Sequence, residues 1–361
     1  MIRKEEFERI LVSPDCPIRE AMRRIDASGL GSVLVTDGDR RLLGTITDGD
    51  IRRGILASVD LQAPVGTLLG GSGRAVPLTA PAGTSPEEMV RQMRQGGVRH
   101  LPIVDARGRV LDLARLGDVE PDVTVPLTAV VMAGGFGTRL RPLTDITPKP
   151  LLPVGEKPLL HLIITQLRDA GVQKVHVTTH YQGDQISEYL GNGEGFGLEI
   201  VCVPEDRPLG TAGGLGFIEP SDQPLLVMNG DILTRLEFRN FVAFHRDHGA
   251  AMTVAVRRYD FQVPYGVVEA QGVRVVGISE KPTVAFFVNA GIYLLDRSIL
   301  ALVARGEHCD MPDLIKRALA KGQPVISFPI HEYWLDVGQL EDYQMACEDA
   351  RAGRLSGEPP A

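Results

Sequence analysis

The 361-residue chain has little cysteine, few aromatics (5%) and no long apolar run. Its four cysteines, Cys16, Cys202, Cys309 and Cys347, form no C-x-x-C pair. That spacing excludes the usual zinc motifs, and the cysteines read as reduced, buried thiols of a cytoplasmic protein. No apolar stretch approaches the ~18–20 residues of a membrane span. The charged start MIRKEEFERI lacks the apolar segment of a signal peptide. Positive charge is also short, 38 Lys+Arg against 46 Asp+Glu, for a net −8. This excludes a general nucleic-acid binder and leaves room for a local basic pocket for a small anion. His161, His180, His245 and His248 share no metal-ligand spacing. The length accommodates two or three domains of ordinary soluble composition.

Residues 18–50 and 86–118 read as two copies of one unit at a constant offset (105 − 37 = 118 − 50 = 68). Each copy runs from a helix-period stretch, IREAMRRIDASGLG or PEEMVRQMRQGGVR, into an apolar strand, SVLVTD or HLPIVD. A turn and a second strand follow, and Gly29 falls on Gly97 and Gly49 on Gly117. So short a unit buries little alone, so the copies are expected to pack as a pair. The Pro-punctuated stretch VEPDVTVP reads as a linker. Beyond it, LTAVVM, KVHVTTH, LEIVCVP and PLLVMNGD alternate with helices expected near 158–170, 183–191 and 211–218. That alternation predicts an α/β domain with a mainly parallel sheet. MTVAVRR, YGVVEA and RVVGISEK lie close together and are expected to form a smaller antiparallel addition.

Ala133-Gly134-Gly135-Phe136-Gly137-Thr138-Arg139-Leu140 follows the first of these strands. Its glycines let backbone N–H groups close on an anion, and Arg139 adds a planar charged fork. Lys149 stands between Pro148 and Pro150, which restrict the backbone that aims its ammonium. No Gly-Lys-Ser/Thr ends the loop, so it is not a Walker A. Leu140 stands where a dinucleotide fingerprint needs its last glycine. By itself the glycine cluster reads equally as a tight strand–helix turn. Asn229-Gly230-Asp231 ends another strand, where an α/β sheet places ligands. Mg²⁺ takes one or two carboxylates plus substrate phosphates, which makes Asp231 a metal candidate. An isolated Asp at such a place is more often a turn former.

The whole string AGGFGTRLRPLTDITPKPLLPV resembles the signature of the sugar-1-phosphate nucleotidyltransferases, the sugar-nucleotide pyrophosphorylases. Further blocks match in the family's order: Leu209-Gly210-Thr211-Ala212-Gly213, Tyr265-Gly266-Val267-Val268, Glu280-Lys281-Pro282, Asn289-Ala290-Gly291-Ile292-Tyr293 and Trp334-Leu335-Asp336-Val337-Gly338. The resemblance implies a Rossmann-like, GT-A-like α/β domain over 127–350 that joins an NTP to a sugar 1-phosphate and releases pyrophosphate. It implies Mg²⁺ on Asp231 and Asp336, and catalysis by Arg139, Lys149 and Asp231. Ala133, Gly134, Gly135, Gly137 and Thr138 would wrap the triphosphate, with Gly210 and Thr211 against the base. Gly266, Glu280, Lys281 and Asn289 would lie on the sugar-phosphate side. GGFGTRLRPLT, NAGIY and WLDVGQ look closest to the mannose-1-phosphate guanylyltransferase-like branch, which favours GTP; thymidylyl-, uridylyl- and cytidylyltransferases remain alternatives.

Residues 1–120 resemble a cystathionine-β-synthase (CBS) domain pair of α+β type, with repeats at about 7–60 and 64–120. A linker at 121–126 follows, and 351–361 is expected to be a flexible tail. Gly44-Thr45-Ile46-Thr47-Asp48-Gly49-Asp50 carries this second resemblance. It implies an adenine nucleotide with Thr47 near its phosphate and Asp50 on its ribose; the second copy keeps Asp118 but has Arg115 in place of the threonine. Two readings stay open: a regulatory nucleotide sensor, and a packing module that makes a homo-oligomer, a dimer through the CBS pair. Neither nucleic acid nor membrane is an expected partner. A non-catalytic nucleotide sensor would need a lost ligand, yet Arg139, Lys149, Asp231 and Asp336 are all present. A nicotinamide-dependent dehydrogenase would need the missing glycine.

Overall fold

The computed structural model describes residues 4–28, 30–69, 77–116 and 127–355. The chain divides into two compact units, Met1–Val123 and Thr124–Ala361. Gly29, Gly117, Asp118 and the expected linker at 121–126 lie outside the described residues. No helix among the described residues is long and apolar enough to cross a membrane.

The first unit contains α1 (Lys4–Ile10), β1 (Leu11–Val12), α2 (Ile18–Ser28), β2 (Ser32–Thr36), β3 (Leu42–Thr47) and α3 (Asp48–Leu56). Its second half contains β4 (Ala80–Pro81), α4 (Pro86–Gly96), β5 (His100–Val104) and β6 (Val110–Arg115). α2 buries Ile18, Ala21, Met22 and Ile25, one stripe of a 3.6-residue period. Each half makes a three-stranded sheet, β1-β2-β3 and β4-β5-β6, whose first pair is parallel and second antiparallel. The turns repeat atom for atom. Asp37 Oδ1 accepts the N–H groups of Asp39 and Arg41, and Asp105 Oδ1 those of Arg107 and Arg109, all at 2.8–2.9 Å.

The halves meet at an antiparallel bridge between Arg41 and Arg109. Leu42 N–H donates to Gly108 O at 3.1 Å, and Val110 N–H to Arg40 O at 3.0 Å. Residues at the repeat offset therefore exchange roles across the bridge, which marks a pseudo-twofold axis. Val110 and Leu113 of the second half enter the same core as Val33, Ile46 and Ile51 of the first. Shared burial is the physical reason for the pairing.

The second unit begins with β7 (Leu127–Met132), β8 (Pro153–Val154), β9 (Lys157–Pro158), α5 (Leu159–Asp169), β10 (Val172–Thr179), α6 (Gly183–Leu190) and β11 (Glu199–Pro204). Next come α7 (Gly210–Gly213), β12 (Leu225–Asn229), β13 (Ile232–Thr234), α8 (Phe238–Asp247) and β14 (Met252–Gln262). β15 (Val267–Gln271), β16 (Arg274–Ser279), β17 (Thr283–Leu295), α9 (Arg297–Leu300), α10 (Met311–Ala320), β18 (Val325–Ile330), β19 (Trp334–Asp336) and α11 (Leu340–Arg351) complete it. One seven-stranded sheet has the order β11-β10-β7-β12-β17-β14-β18. It is mainly parallel, and β17 is antiparallel to both its neighbours. Ala129, Val130 and Val131 of β7 are fully buried, as a central strand covered on both faces requires. α5 contributes Leu160, Ile163, Ile164 and Leu167 to the core, where Phe241 meets Phe328 edge-on at 4.8 Å.

Three expectations change. MTVAVRR does not join the antiparallel addition: β14 lies inside the main sheet between β17 and β18, and only β15 and β16 form a separate hairpin. β14 starts buried and ends exposed, so its first half reads as core and its second as an addition. The helix expected at 211–218 shrinks to α7 followed by a 3₁₀ turn at Gly214–Phe217. Gly210, Gly213, Gly214 and Gly216 each cost about 1 kcal/mol relative to alanine in a longer helix. Of the tail expected at 351–361, residues 351–355 are held, with Arg354 Nε donating to Asp349 Oδ1 at 2.6 Å and Leu355 packed on the core, and 356–361 lie outside the described residues.

Arg52 is fully buried in the first unit, its Nε donating to Asp48 Oδ2 at 2.6 Å one turn back. Asp48→Ala is expected to cost about 3 kcal/mol, because it removes that carboxylate from a desolvated guanidinium. Denaturant unfolding followed by circular dichroism measures the loss. A change below about 0.5 kcal/mol, the range of an ordinary surface substitution, would show the pair to be dispensable.

Candidate active site

Glycine places the site where β7 and β12 end. Gly230 N–H donates to Met132 O at 2.8 Å, and a Cβ there would stand 2.8 Å from the same oxygen. Only a residue without a side chain lets β12 end this close to β7. Asp231 therefore emerges beside Ala133, where the glycine loop begins. Within the loop, Gly137 has φ +63°, and a Cβ on it would lie 2.9 Å from Thr144 Cγ2 and 3.2 Å from Lys149 Cβ. Thr144 Oγ1 donates to Gly137 O at 2.8 Å and so pins the loop to the segment that carries Lys149. Gly135, Thr138 and Arg139 are exposed along the rim.

The four charged residues singled out in the sequence come together. Lys149 Nζ donates to Asp231 Oδ2 at 2.5 Å. Ile232 pairs with Asp336 across β13 and β19, and Val337 N–H donates to Asp231 O at 2.9 Å, so the two aspartates are neighbours. Burial pushes the Asp336 carboxyl up from its usual range, and the Asp231 charge adds to this; Lys149 and Arg139 oppose it. A Cβ on Gly338 would lie 3.4 Å from Asp336 Oδ1 and 3.6 Å from Arg139 Nη1, which puts the guanidinium on the same rim.

The donor set suits a divalent cation. Asp231 Oδ1 and Asp336 Oδ1 are buried oxygens without a hydrogen-bond partner. Two hard carboxylate oxygens match what Mg²⁺ takes from a protein when phosphates complete its shell. Among the described residues no three His, Cys, Asp or Glu side chains gather into a metal cluster.

Of the residues expected on the base side, Thr211 is engaged within the fold. Its N–H donates to Asp310 Oδ1 at 3.0 Å, and its Oγ1 accepts from Met311 N–H at 2.8 Å. Gly210 packs against Cys309 O, so this loop is braced on the start of α10. Sequence reasoning missed Glu205. Its buried carboxylate stands between the Cβ positions of Gly134 (3.7 Å) and Gly214 (2.8 Å) and accepts Leu209 N–H at 3.2 Å. Burial raises its pKa. The one signal available was a carboxylate four residues before the Leu209-Gly210-Thr211 block, and charge next to a loop is too common to single out. The histidines are fold elements: His180 Nδ1 donates to Glu205 O at 2.9 Å, and His245 sits between Thr253 and Asp296.

The expected sugar-side residues lie on β14–β17 and the hairpin between them. A Cβ on Gly266 would lie 3.1 Å from Glu280 Oε2, so those two meet, and Lys281 adopts a left-handed φ of +46°. Asn289 uses both ends of its amide internally, donating to Tyr293 Oη at 2.7 Å and accepting Gly291 N–H at 3.0 Å. In the first unit, Thr47 and Asp50 form a capping box at the start of α3. Thr47 N–H donates to Asp50 Oδ2 at 2.8 Å, and Arg53 pairs with the other oxygen. The shared Thr-x-x-Asp spacing thus has a structural role.

A nucleotidyl transferase family profile matches residues 128–353, and a CBS domain profile matches 7–57 and 74–119. Mannose-1-phosphate guanylyltransferase 1 of Arabidopsis thaliana is 35% identical over 229 residues, 60% of this chain and 63% of the relative. The mannose-1-phosphate guanylyltransferase catalytic subunit beta of Drosophila pseudoobscura pseudoobscura is 34% identical over 224 residues, 60% of each chain. The chain thus spans 60–63% of the length of these curated relatives. A solved structure described as a candidate glucose-1-phosphate thymidylyltransferase from Bacillus anthracis, with a sucrose, shares the fold. Its TM-score is 0.51 at 24% identity, over 62% of this chain and 95% of that one.

A cation on Asp231 would compete with the Lys149 ammonium that holds its Oδ2. Lys149→Gln is expected to raise the affinity of the nucleotide-free chain for Mn²⁺ about tenfold, by removing a like charge from the carboxylate pair. Electron paramagnetic resonance titration of free Mn²⁺ reads this directly, and unchanged or weaker binding would show that the two cations do not compete.

Proposed function

The chain belongs to the nucleotidyl transferase family, and on that premise we propose that it transfers a nucleoside monophosphate from an NTP to a sugar 1-phosphate, giving an NDP-sugar and pyrophosphate. The observation that carries this reading is the meeting of Arg139, Lys149, Asp231 and Asp336 beside a glycine loop at the ends of β7 and β12. The domain assignment follows: a CBS pair over 1–120, a linker at 121–126 and the transferase over 127–350.

A sugar-phosphate oxygen attacks the α-phosphorus in line, and the bond to pyrophosphate breaks. The backbone N–H groups of Gly134, Gly135 and Gly137 hold the triphosphate. Arg139 balances charge on the departing pyrophosphate. Lys149 leaves Asp231 and neutralises the α-phosphate and the incoming phosphate. Asp231 and Asp336 would hold Mg²⁺, which supplies further charge neutralisation between phosphates. Catalysis is positioning plus electrostatics, and no Ser, Cys or His nucleophile is invoked. Gly266 and Glu280 take the sugar hydroxyls, and Lys281 its phosphate.

GTP is the favoured donor. The relatives carry guanylyltransferase names. Glu205 stands beside the loop, and its carboxyl oxygens suit the paired N1–H and N2–H donors on the edge of guanine better than the single N3–H that thymine or uracil holds between two carbonyls. At the first unit the proposed ligand is an adenine nucleotide that regulates the enzyme, which requires different affinities in two enzyme states.

Pyrophosphate release from a panel of NTPs and sugar 1-phosphates is expected only with both substrates, and none after EDTA. Asp231→Asn should lower kcat on the order of 10²–10³-fold, and full turnover would refute the metal role. Glu205→Gln should erode the preference for GTP over other NTPs roughly tenfold, because the amide puts an N–H group where a carboxyl oxygen accepts. An unchanged ratio would remove Glu205 from base recognition. Titration calorimetry of the full chain with AMP, ADP and ATP is expected to give heat with at least one of them; none would leave the first unit a packing module.

A further inference from the structure

The segment that opens α6 is built against local preference. Gln182 stands at the helix N-cap, where Ser, Thr, Asp, Asn and Gly are favoured, and its side chain caps no N–H group of the helix. Its φ of +50° lies in the left-handed region, which a glutamine rarely adopts. Glycine would satisfy both demands at once. A residue that breaks two local rules points to a task for its side chain elsewhere.

That side chain reaches the stretch between Arg139 and Lys149. Three consecutive carbonyls there each accept from one side chain of the α6 segment. Tyr181 Oη donates to Thr144 O at 3.4 Å, Gln182 Nε2 to Asp145 O at 3.4 Å, and Gln185 Nε2 to Ile146 O at 3.2 Å. The donors are linked among themselves: Gln182 Nε2 also donates to Tyr181 Oη at 3.1 Å, and Gln185 Nε2 to Gln182 Oε1 at 3.5 Å. The Phe136 ring of the glycine loop packs on His180 and Tyr181, with ring centroids 5.6 and 5.4 Å away. On its other side, His180 Nδ1 holds Glu205 O at 2.9 Å. Residues 180–185 therefore touch the glycine loop, the stretch that leads to Lys149, and the strand end that carries Glu205.

We propose that Tyr181, Gln182 and Gln185 are positioning residues, which clamp the 144–146 carbonyls and so fix where Arg139 and Lys149 stand relative to each other. Within residues 140–148, the Arg141–Asp145 ion pair is 3.3 Å long between exposed side chains, and such a pair holds little by itself. The clamp supplies the outside anchor. Misplacing a charged group by about 1 Å can cost on the order of 10²-fold in rate, so anchoring the loop matters to the reaction more than to the fold. The catalytic role of the clamp rests on the transfer proposed above; the clamp itself does not.

Three variants of the full chain test it. Gln182→Gly removes the side chain but suits both the φ and the N-cap, so the thermal melt is expected to hold. Its kcat is expected to fall about fivefold with KM for the NTP within about twofold, because Arg139 and Lys149 act on charge that develops during transfer. Gln185→Glu keeps the shape and sets an acceptor against Ile146 O, and is expected to lower kcat about tenfold. Gln185→Lys keeps a donor of similar reach and is expected to stay within about twofold of wild type. Hydrogen exchange at the Leu143 and Asp145 amides, both bonded within the turn, reads the clamp without catalysis. It is expected to quicken at least about fivefold in Gln182→Gly and Gln185→Glu, and not in Gln185→Lys. Unchanged exchange in the first two variants would overturn the proposal. So would faster exchange at unchanged kcat, or a loss of kcat that merely follows a lower melt. A wild type without transfer activity would refute the proposed function instead, and the exchange rates would still decide the clamp.

Discussion

An ammonium and a carboxylate 82 residues apart in sequence meet at 2.5 Å, and the second unit is arranged around that meeting. It requires β12 to end against β7, which Gly230 permits. It requires the loop after β7 to fold back over Lys149, which Gly137 and Thr144 secure. It also requires β19 to lie beside β13, which brings Asp336 next to Asp231. Two cations and two carboxylates then balance in a half-buried crevice. Either pair alone would be a concentration of like charge that a folded protein has to offset. The balance offsets the charge of the site, and the proposed triphosphate with its cation would enter by exchanging partners rather than by creating charge.

Much of this was legible in the sequence because the chemistry is local. The string from Ala133 to Pro150 holds the loop, Arg139 and Lys149 together, and Asp231 follows an apolar strand within two residues. The partnership of Asp231 and Asp336 was not local; only the resemblance joined them, since nothing in their spacing shows that β13 and β19 pair. Glu205 was illegible for another reason. Its importance lies in where the backbone of Gly134 and Gly214 stops, and an acidic residue before a loop carries no mark of that. Thr211 has a second role that its sequence did not mark, since its N–H and Oγ1 brace the start of α10.

The fold shows the same division. The repeat at 18–50 and 86–118 was visible as a constant offset, and the bridge at Arg41 and Arg109 gives that offset its physical meaning. Strand identity was harder. β14 is core for its first five residues and largely exposed for the rest, so a reading by hydrophobic run assigned the whole segment to one place. Thr47 and Asp50 carry two roles in one spacing. The capping box closes them on each other, and a bound nucleotide would have to take over part of that bonding.

The central claim is that the crevice moves a nucleotidyl group between two phosphates. Phosphorus NMR of the full chain with GTP, Mg²⁺ and mannose 1-phosphate tests it most directly. The account predicts a diphosphate doublet pair from a GDP-sugar that grows in step with pyrophosphate. It also predicts that added pyrophosphate drives the signals backwards, as a single displacement without a covalent enzyme intermediate demands. Release of inorganic phosphate with no diphosphate pair, or a nucleotidylated protein that forms without the sugar phosphate, would contradict it.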